Sequence, residues 1–198
     1  HQNAFIYICT LLKFPDNQCL NTSICQRDRK MTKEEAKIGV YICHCGGNIS
    51  DTVDVEKVRE AASKLKNVVV AKTYEYVCSD PGQEMIKQGI REQGLNRIVV
   101  ASCSPRMHLD TFRRTVESAG LNPYFLEMAN IREQCSWVHG DKENATSKAI
   151  DLIRGAVGRA RYLKLLETKS IPVNKDTLVI GGGIAGIITS IELADKDY

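Results

Sequence analysis

The sequence lacks several features that mark particular classes of protein. It contains no run of about 18 apolar residues, the length that a helix needs to cross a bilayer. The apolar segment 5–12 is short, with neither a basic flank before it nor a small-residue cleavage site after it, so a signal peptide is not expected. Aromatic residues make up only 6% of the chain and do not interleave with a basic stripe. The pattern of a nucleic-acid-binding protein is therefore missing.

An excess of charge of one sign is missing as well. The chain has 27 Lys and Arg residues and 24 Asp and Glu residues, which gives a net charge of +3. Residues 1–30 carry four basic and two acidic side chains, so the rest of the chain is almost neutral. Hydrophobic residues make up 43%, which is enough to bury a core. This composition predicts an ordinary soluble globular protein.

Cysteine, in contrast, is abundant, with eight residues. They are too sparse for a disulfide-stapled secreted scaffold, and they indicate metal or redox chemistry in a reducing compartment, so we expect a cytoplasmic protein. Cys9, Cys19 and Cys25 fall in residues 1–30, which have no sustained helical or strand period and precede Met31, a residue that resembles a translation start. We interpret residues 1–30 as upstream or poorly ordered sequence and discount their cysteines. An ordered N-terminal extension is the alternative.

From residue 38 onward, apolar runs alternate with amphipathic segments. The runs predict strands, and the segments between them predict helices. Strands are expected at 38–43, 68–73, 97–101 and 123–128, and helices at 54–66, 81–93, 105–119 and from Ile131. Because parallel strands need crossover connections, this order predicts an α/β fold with a small doubly wound parallel sheet over residues 31–140. A long helix at 141–167, a linker to 172 and a second βα unit at 173–198 should follow.

Five cysteines of the predicted domain lie at the ends of predicted strands: Cys43 and Cys45 end the first strand, and Cys78, Cys103 and Cys135 follow the second, third and fourth. The carboxyl ends of parallel strands share one edge of a sheet, so these residues are expected to meet there. Cys78, Cys103 and Cys135 also lie beside predicted helix starts, whose free N–H groups stabilise anions. The last of these starts is indicated by Asn130 and Glu133, which resemble a capping box. A cluster held by four thiolates is such an anion, so the placement predicts an iron–sulfur cluster bound by Cys45, Cys78, Cys103 and Cys135.

Other interpretations stay open. Cys43 and Cys45 lie on the same side of an extended segment, so Cys43 is an alternative ligand, although the glycines after Cys45 allow a closer approach there. Four thiolates also suit zinc, but the sequence has no close Cys-x-x-Cys pair, and each cysteine alone could be a small buried hydrophobe. A thiol–disulfide oxidoreductase that uses Cys43 and Cys45 is the alternative function. Arg106 and Arg132 could offset the charge of a cluster, although solvated arginines are commoner at helix starts.

Residues 177–186 combine an apolar strand, a Gly-x-Gly-x-x-Gly turn and a helix start. In this context Gly181 permits the tight turn, Gly183 lets a pyrophosphate approach the backbone, and Gly186 lets the helix pack on the strand. The pattern predicts the first βα unit of a flavin- or nucleotide-binding Rossmann-type domain, and a purely structural turn is the alternative. The acidic residue that holds the ribose should lie about 20 residues further on, beyond Tyr198, so we expect this domain to be truncated.

Several segments resemble the A subunit of the heterodisulfide reductase of methanogens. The matching segments are Cys43–Ile49, Cys78–Gln83, Val99–Arg106, Gly120–Tyr124, Met128–His139 and Leu178–Gly186. Together they extend over about four-fifths of the chain. The resemblance implies a domain that holds a [4Fe–4S] cluster, followed by an FAD-binding domain similar to thioredoxin reductase.

The resemblance also implies a role in methanogenesis. In this family the flavin splits electron pairs between ferredoxin and, through the B and C subunits, the mixed disulfide of coenzyme M and coenzyme B. Electrons enter from a hydrogenase or formate dehydrogenase partner, and the disulfide is cleaved on the B subunit. Most of the FAD domain and the family's C-terminal ferredoxin-like cysteine clusters are absent from the sequence, so bifurcation by this chain alone is not expected. A non-catalytic truncated remnant is the remaining alternative.

Overall fold

The computed structural model describes residues 35–197, so the predicted leader with Cys9, Cys19 and Cys25 lies outside the described residues. Residues 38–130 contain a four-stranded sheet with the strand order β2-β1-β3-β4. The strands are β1 (Ile38–Cys43), β2 (Val68–Tyr74), β3 (Arg97–Ser102) and β4 (Leu126–Asn130). Every pairing is parallel. The predicted α/β fold with a parallel sheet is confirmed.

Helices cover both faces of the sheet. They are α1 (Val55–Ser63), α2 (Asp80–Gln93), α3 (Pro105–Ser118) and α4 (Lys142–Ala160). α1 packs beside α4 on one face, and α2 packs beside α3 on the other. Each residue of β1 is buried, which explains why this strand has a continuous apolar sequence and not an alternating one.

The strand order creates a switch point between the two central strands. The connection after β1 leads through α1 to one face of the sheet, and the connection after β3 leads through α3 to the other. Where such connections diverge, an open parallel sheet has a crevice at its carboxyl edge. Side chains on the loops after β1 and β3 are therefore positioned beside that crevice.

Short polar side chains fix the helix starts that follow β2 and β3. The Ser79 hydroxyl accepts a hydrogen bond from the Gly82 N–H at 3.5 Å, and the Ser104 hydroxyl accepts one from the Arg106 N–H at 3.3 Å. Each of these helices also has a proline in its first turn, where no N–H is needed. Such caps stabilise a helix start by roughly 1 kcal/mol. They hold the two cysteine-bearing loops in defined positions.

The fourth strand begins later than predicted. The expected strand at 123–128 starts only at Leu126, because Pro123–Phe125 form a 3₁₀ turn. Proline has no N–H to donate to a strand ladder, and Asn122 Oδ1 accepts a hydrogen bond from the Tyr124 N–H at 3.0 Å, which stabilises the turn.

The helix predicted from Ile131 is a single π-helical turn, Arg132–Ser136. Asn130 caps it, since its Oδ1 accepts hydrogen bonds from the N–H groups of Arg132 at 3.2 Å and Glu133 at 3.0 Å. The predicted cap at Asn130 is thus confirmed, whereas the α-helical geometry is wrong. π-helical turns of this kind are frequent at functional sites.

The long helix predicted at 141–167 ends at Ala160, its last buried residue. Gly155 and Gly158 weaken its final turns, and the side chains that follow are mostly exposed, so no burial offsets the cost of further helix. Residues 163–182 form neither helix nor strand.

The strand predicted at 177–180 is not formed. Leu178 and Ile180 are 84% and 90% exposed, and no strand within residues 35–197 pairs with this segment. The helix after the glycine-rich turn is present as α5 (Ile184–Ala194). Within the described range, none of these helices has both the length and the apolar character to span a membrane.

Candidate metal centre

The five cysteines of the described domain lie at the carboxyl edge of the sheet. Cys43 ends β1, Cys45 lies in the following turn, and Cys103 directly follows β3. Cys78 lies between β2 and α2, and Cys135 lies in the π-helical turn after β4. All five are free thiols. The fold therefore brings to one edge the cysteines that the sequence singles out.

Cys45 lies in a turn of left-handed residues. Its φ is 57°, and those of Gly46 and Gly47 are 57° and 93°. The left-handed conformation costs roughly 1–2 kcal/mol for a residue with a side chain, so a cysteine is a strained choice at this position. The turn is also tightly packed, because a Cβ atom on Gly46 would collide with the Tyr76 hydroxyl. Backbone strain of this kind concentrates at functional sites.

Cys43 is buried and directed toward the loop that carries Cys78. Its Sγ accepts a hydrogen bond from the Val77 N–H at 3.5 Å and donates one to the Glu75 carbonyl at 3.6 Å. Burial raises the pKa of Cys43 to about 11, and the neighbouring Cys45 and Cys78 act in the same direction. A thiol with this pKa is protonated at neutral pH unless a metal ion replaces the proton. This disfavours Cys43 as the attacking thiolate of a thiol–disulfide enzyme.

Cys45 and Cys103, which follow the two central strands, share one cation. Arg132 Nη1 donates a hydrogen bond to Cys45 Sγ at 3.2 Å. Burial raises the pKa of Cys103, while the charge of Arg132 lowers it and the nearby Cys45 raises it. These mutual effects place the two thiols within electrostatic reach of each other and of Arg132.

Arg132 is held from two further sides. Its Nη2 and Nε donate to Glu133 Oε1 at 2.8 and 3.3 Å, and its guanidinium carbon lies 4.8 Å from the centre of a Trp137 ring. Burial opposes the charge of Arg132, but the hydrogen bonds to Glu133 and Cys45 outweigh it and raise the pKa of Arg132. Arg106, the other arginine that the sequence offers as a candidate, is exposed on α3.

Glu133 is the residue of this group that sequence reasoning missed. The sequence predicts it as the reciprocal member of a capping box with Asn130, but its carboxylate accepts from the Arg132 side chain. That ion pair keeps the pKa of Glu133 low although burial would raise it. The only sequence signal is an acidic residue next to an arginine, which is too common to identify an ion pair.

Cys135 is fully buried, and its side chain faces α4. Its Sγ donates a hydrogen bond to the Ala145 carbonyl at 3.1 Å. Burial raises its pKa, and the nearby charge that lowers it is Lys148 on α4. The backbone of this turn nevertheless adjoins the Cys45 turn, because the Ser136 hydroxyl donates to the Asn48 carbonyl at 2.7 Å. The backbone of Cys135 therefore lies close to the Cys45 turn, whereas its side chain points away from that turn.

The donor set suits an iron–sulfur cluster in chemistry and in position, but its side chains do not form a ready coordination site. Within residues 35–197, no group of three or more His, Cys, Asp or Glu side chains is arranged to hold a metal ion. Thiol sulfurs beside a half-buried cation and near helix starts are the groups that an anionic cluster requires. The ligand set of Cys45, Cys78, Cys103 and Cys135, with Cys43 as the alternative, stays a prediction.

The glycine-rich turn has part of the predicted geometry, since the turn and the helix after it are present but the strand before it is not. Gly181 has a φ of 121°, and Gly183 is the N-cap of α5. A Cβ atom on Gly186 would collide with the carbonyl of Gly181, so only glycine fits where the helix crosses the turn. Binding of a pyrophosphate at the N-terminus of α5 stays a prediction.

The sequence is similar to part of several longer curated proteins, although no protein-family model matches the chain. The second iron-sulfur A subunit of CoB–CoM heterodisulfide reductase from Methanopyrus kandleri is 60% identical over 169 residues, which cover 85% of this chain and 26% of that protein. The A subunit of H2:CoB–CoM heterodisulfide,ferredoxin reductase from Methanothermobacter thermautotrophicus is 57% identical over 174 residues, 87% of this chain and 26% of its own length.

A third relative is the A subunit of the ferredoxin/F420H2-dependent CoB–CoM heterodisulfide reductase of Methanosarcina acetivorans. It is 50% identical over 163 residues, which cover 82% of this chain and 21% of that protein. The chain therefore spans about a quarter of the length of the curated relatives it matches. Identities of this size over more than four-fifths of the sequence establish common ancestry, and the chain is homologous to part of the A subunit of heterodisulfide reductases.

Proposed function

We propose that this chain is an electron-transfer part of an oxidoreductase of the heterodisulfide reductase type and that it carries a [4Fe–4S] cluster. The contact between Arg132 and Cys45 Sγ carries the proposal, because it places a half-buried cation beside a thiol at the sheet edge where the four other cysteines of the domain also lie. A cluster held by four thiolates is anionic, and a nearby cation stabilises it. The name of the Methanopyrus relative, which calls it an iron-sulfur protein, agrees with this role.

Three of the proposed ligands are Cys45, Cys78 and Cys103. Cys45 and Cys103 follow the two central strands β1 and β3, and Cys78 lies on the neighbouring loop after β2. The fourth ligand is either Cys135, whose side chain would have to leave the Ala145 carbonyl, or Cys43, which already lies close to Cys45 and Cys78. Both candidate thiols are buried, so the fourth ligand would lose its proton when iron binds to its sulfur.

When bound, the cluster would supply a centre that accepts and gives up one electron. The chain's own residues would hold the thiolates, shield the buried side of the site from water and supply the positive charge of Arg132. Cys45 and Cys78 are partly exposed, so the site reaches the surface, where a partner can exchange electrons.

FAD is the second proposed cofactor. Gly181, Gly183 and Gly186 would hold its pyrophosphate at the N-terminus of α5, where free N–H groups favour an anion. α5 exposes apolar side chains, among them Ile187 and Ile191, so an FAD site would need further protein packed against it. In the longer relatives, the part of the protein that this chain does not cover would supply that packing.

In the whole protein, the proposed role is to relay electrons in the flavin-based reduction of the mixed disulfide of coenzyme M and coenzyme B, coupled to reduction of ferredoxin. The proposed partners are the B and C subunits, ferredoxin, and a hydrogenase or formate dehydrogenase that delivers electrons. The names of the relatives support this role, since they include the heterodisulfide, ferredoxin and H2.

The proposal is tested by anaerobic purification of the chain and reconstitution with iron and sulfide. We expect about four irons and four sulfides per chain and an electron paramagnetic resonance signal in the reduced protein. Cys45→Ser, Cys78→Ser and Cys103→Ser should each lower the iron content, whereas Cys25→Ser, a matched change at a discounted cysteine, should not. A well-folded chain that takes up no iron contradicts the proposal, and one that binds only zinc favours a structural zinc site.

The fourth ligand is identified by the pair Cys43→Ser and Cys135→Ser. The variant that loses the cluster, or that leaves one with three irons, marks the ligand. Retention of the complete cluster by the double variant Cys43→Ser, Cys135→Ser would contradict coordination by four cysteines of this edge.

A further inference from the structure

Arg132 lies at the centre of a row of side chains that runs from the surface to Cys45. Trp137, the only tryptophan of the chain, is 59% exposed and contacts the guanidinium through its ring. The guanidinium then reaches Cys45 Sγ at 3.2 Å. The row therefore links the protein surface to one sulfur through a single fixed cation.

The charge of Arg132 is poorly screened by water. Its side chain is only 16% exposed, and that of its partner Glu133 is 27% exposed. Charges that are mostly removed from water act on their neighbours several times more strongly than surface charges do. Arg106, at the same edge, is exposed and so is a weaker source of potential at the cysteines.

We infer that Arg132 is a positioning residue that raises the reduction potential of the bound cluster, and that Glu133 limits this effect by pairing with it. The inference rests on the proposed function. Reduction adds one negative charge to the cluster, and a fixed cation at a ligand sulfur favours that added charge. The carboxylate of Glu133 opposes the same charge from the other side of the guanidinium. The two residues therefore act in opposite directions although they share one ion pair.

Because Arg132 and Glu133 are expected to shift the reduction potential in opposite directions, substitutions of the two residues can be told apart. In the reconstituted chain, Arg132→Gln should lower the ratio of reduced to oxidised cluster at a fixed potential about tenfold, which for one electron corresponds to a midpoint lower by about 59 mV. Glu133→Gln should raise that ratio a few fold, because it leaves the cation unpaired. Arg132→Lys should restore part of the loss, since it keeps the charge and loses the paired hydrogen bonds. Arg106→Gln is the matched control, for which a change of less than twofold is expected.

Trp137→Ala provides a variant that leaves both charges in place. The ring restrains the guanidinium by a cation–π contact, so its removal should shift the midpoint in the direction of Arg132→Gln but by less. The electron paramagnetic resonance spectrum of each variant shows whether the cluster itself is intact.

The cluster-free chain supplies a second measurement, which separates failure of this inference from failure of the proposed function. Rates of alkylation by iodoacetamide are measured for each cysteine by mass spectrometry at about pH 7. Arg132→Gln removes the hydrogen bond to Cys45 Sγ, so the alkylation rate of Cys45 should change by more than about twofold, while that of Cys43, buried away from Arg132, should change less than about twofold.

Two outcomes would overturn the inference. Equal shifts for Arg132→Gln and Arg106→Gln would mean that any nearby positive charge has the same effect. A Glu133→Gln shift in the same direction as Arg132→Gln would mean that both substitutions merely disturb the π-helical turn. If the chain binds no cluster, the proposed function fails, and the alkylation rates alone decide whether Arg132 acts on Cys45.

Discussion

Gly46→Ala offers the sharpest test of the turn that carries Cys45. Gly46 has a φ of 57°, and its added Cβ atom would collide with the Tyr76 hydroxyl. Gly94 is a matched control because its φ is 61° and no atom lies within 4 Å of the position that its Cβ atom would occupy. Alanine at either position incurs the cost of the left-handed conformation, and only Gly46→Ala adds a steric conflict.

The magnitudes follow from these two contributions. Gly94→Ala should lower the free energy of unfolding by about 1 kcal/mol, the lower end of the left-handed cost. Gly46→Ala should lower it by about 2 kcal/mol, since displacing a partly exposed tyrosine adds roughly 1 kcal/mol, the low end for overpacking. In the double variant Gly46→Ala, Tyr76→Ala the steric part should vanish, which appears as a coupling of about 1 kcal/mol.

Urea unfolding of the cluster-free, reduced chain measures these differences, provided that all variants have the same m-value. Equal destabilisation by Gly46→Ala and Gly94→Ala would refute the tight contact between the Cys45 turn and Tyr76. So would a double variant in which the two changes are simply additive. Circular dichroism of each variant before unfolding confirms that the fold is retained.

Three further predictions concern the rest of the domain. Tyr41→Phe should leave stability unchanged or raise it by up to about 1 kcal/mol in urea unfolding, because the buried Tyr41 hydroxyl has no hydrogen-bond partner within residues 35–197; a loss above that amount would reveal one. Burial raises the pKa of Glu127 in the folded protein, so its contribution to stability is present below the ordinary carboxyl pKa and is lost as the pH rises through the raised value. Glu127→Gln should therefore gain stability relative to wild type between about pH 4 and pH 7, and a constant difference over that range would contradict this. Asn122→Ala removes the hydrogen bond to the Leu166 carbonyl at 2.9 Å, so trypsin should cleave at Lys164 sooner, and an unchanged cleavage rate would show that this bond does not hold the segment.

Most of the domain could be predicted from the sequence because its signals are local. The buried strand β1 is a continuous apolar run, and α2 and α3 begin at Ser-x-Pro or Ser-Pro caps and so start within a residue of their predicted positions. The same signals placed each cysteine at a strand end. Parallel pairing then followed from the alternation of strands and helices.

The parts that could not be predicted depend on contacts between distant residues. The direction of the Cys135 side chain is set by the Ala145 carbonyl on α4, and no periodicity in the sequence encodes that choice. The hydrogen bond from Arg132 to Cys45 joins residues 87 positions apart. The strand expected at 177–180 is absent for a related reason, since a strand forms only when a neighbour accepts its hydrogen bonds.

The switch point between β1 and β3 has a consequence for biogenesis. Cys45 and Cys103 lie on loops of strands that are neighbours in the sheet but far apart along the chain, so no short segment of residues 35–197 holds all four proposed ligands. A zinc finger, by contrast, folds around its metal. A cluster at this edge would be inserted into a sheet that has already formed, so maturation would act on a folded acceptor. Substitutions that delay the pairing of β1 with β3 would then lengthen the time during which the thiols are open to oxidation.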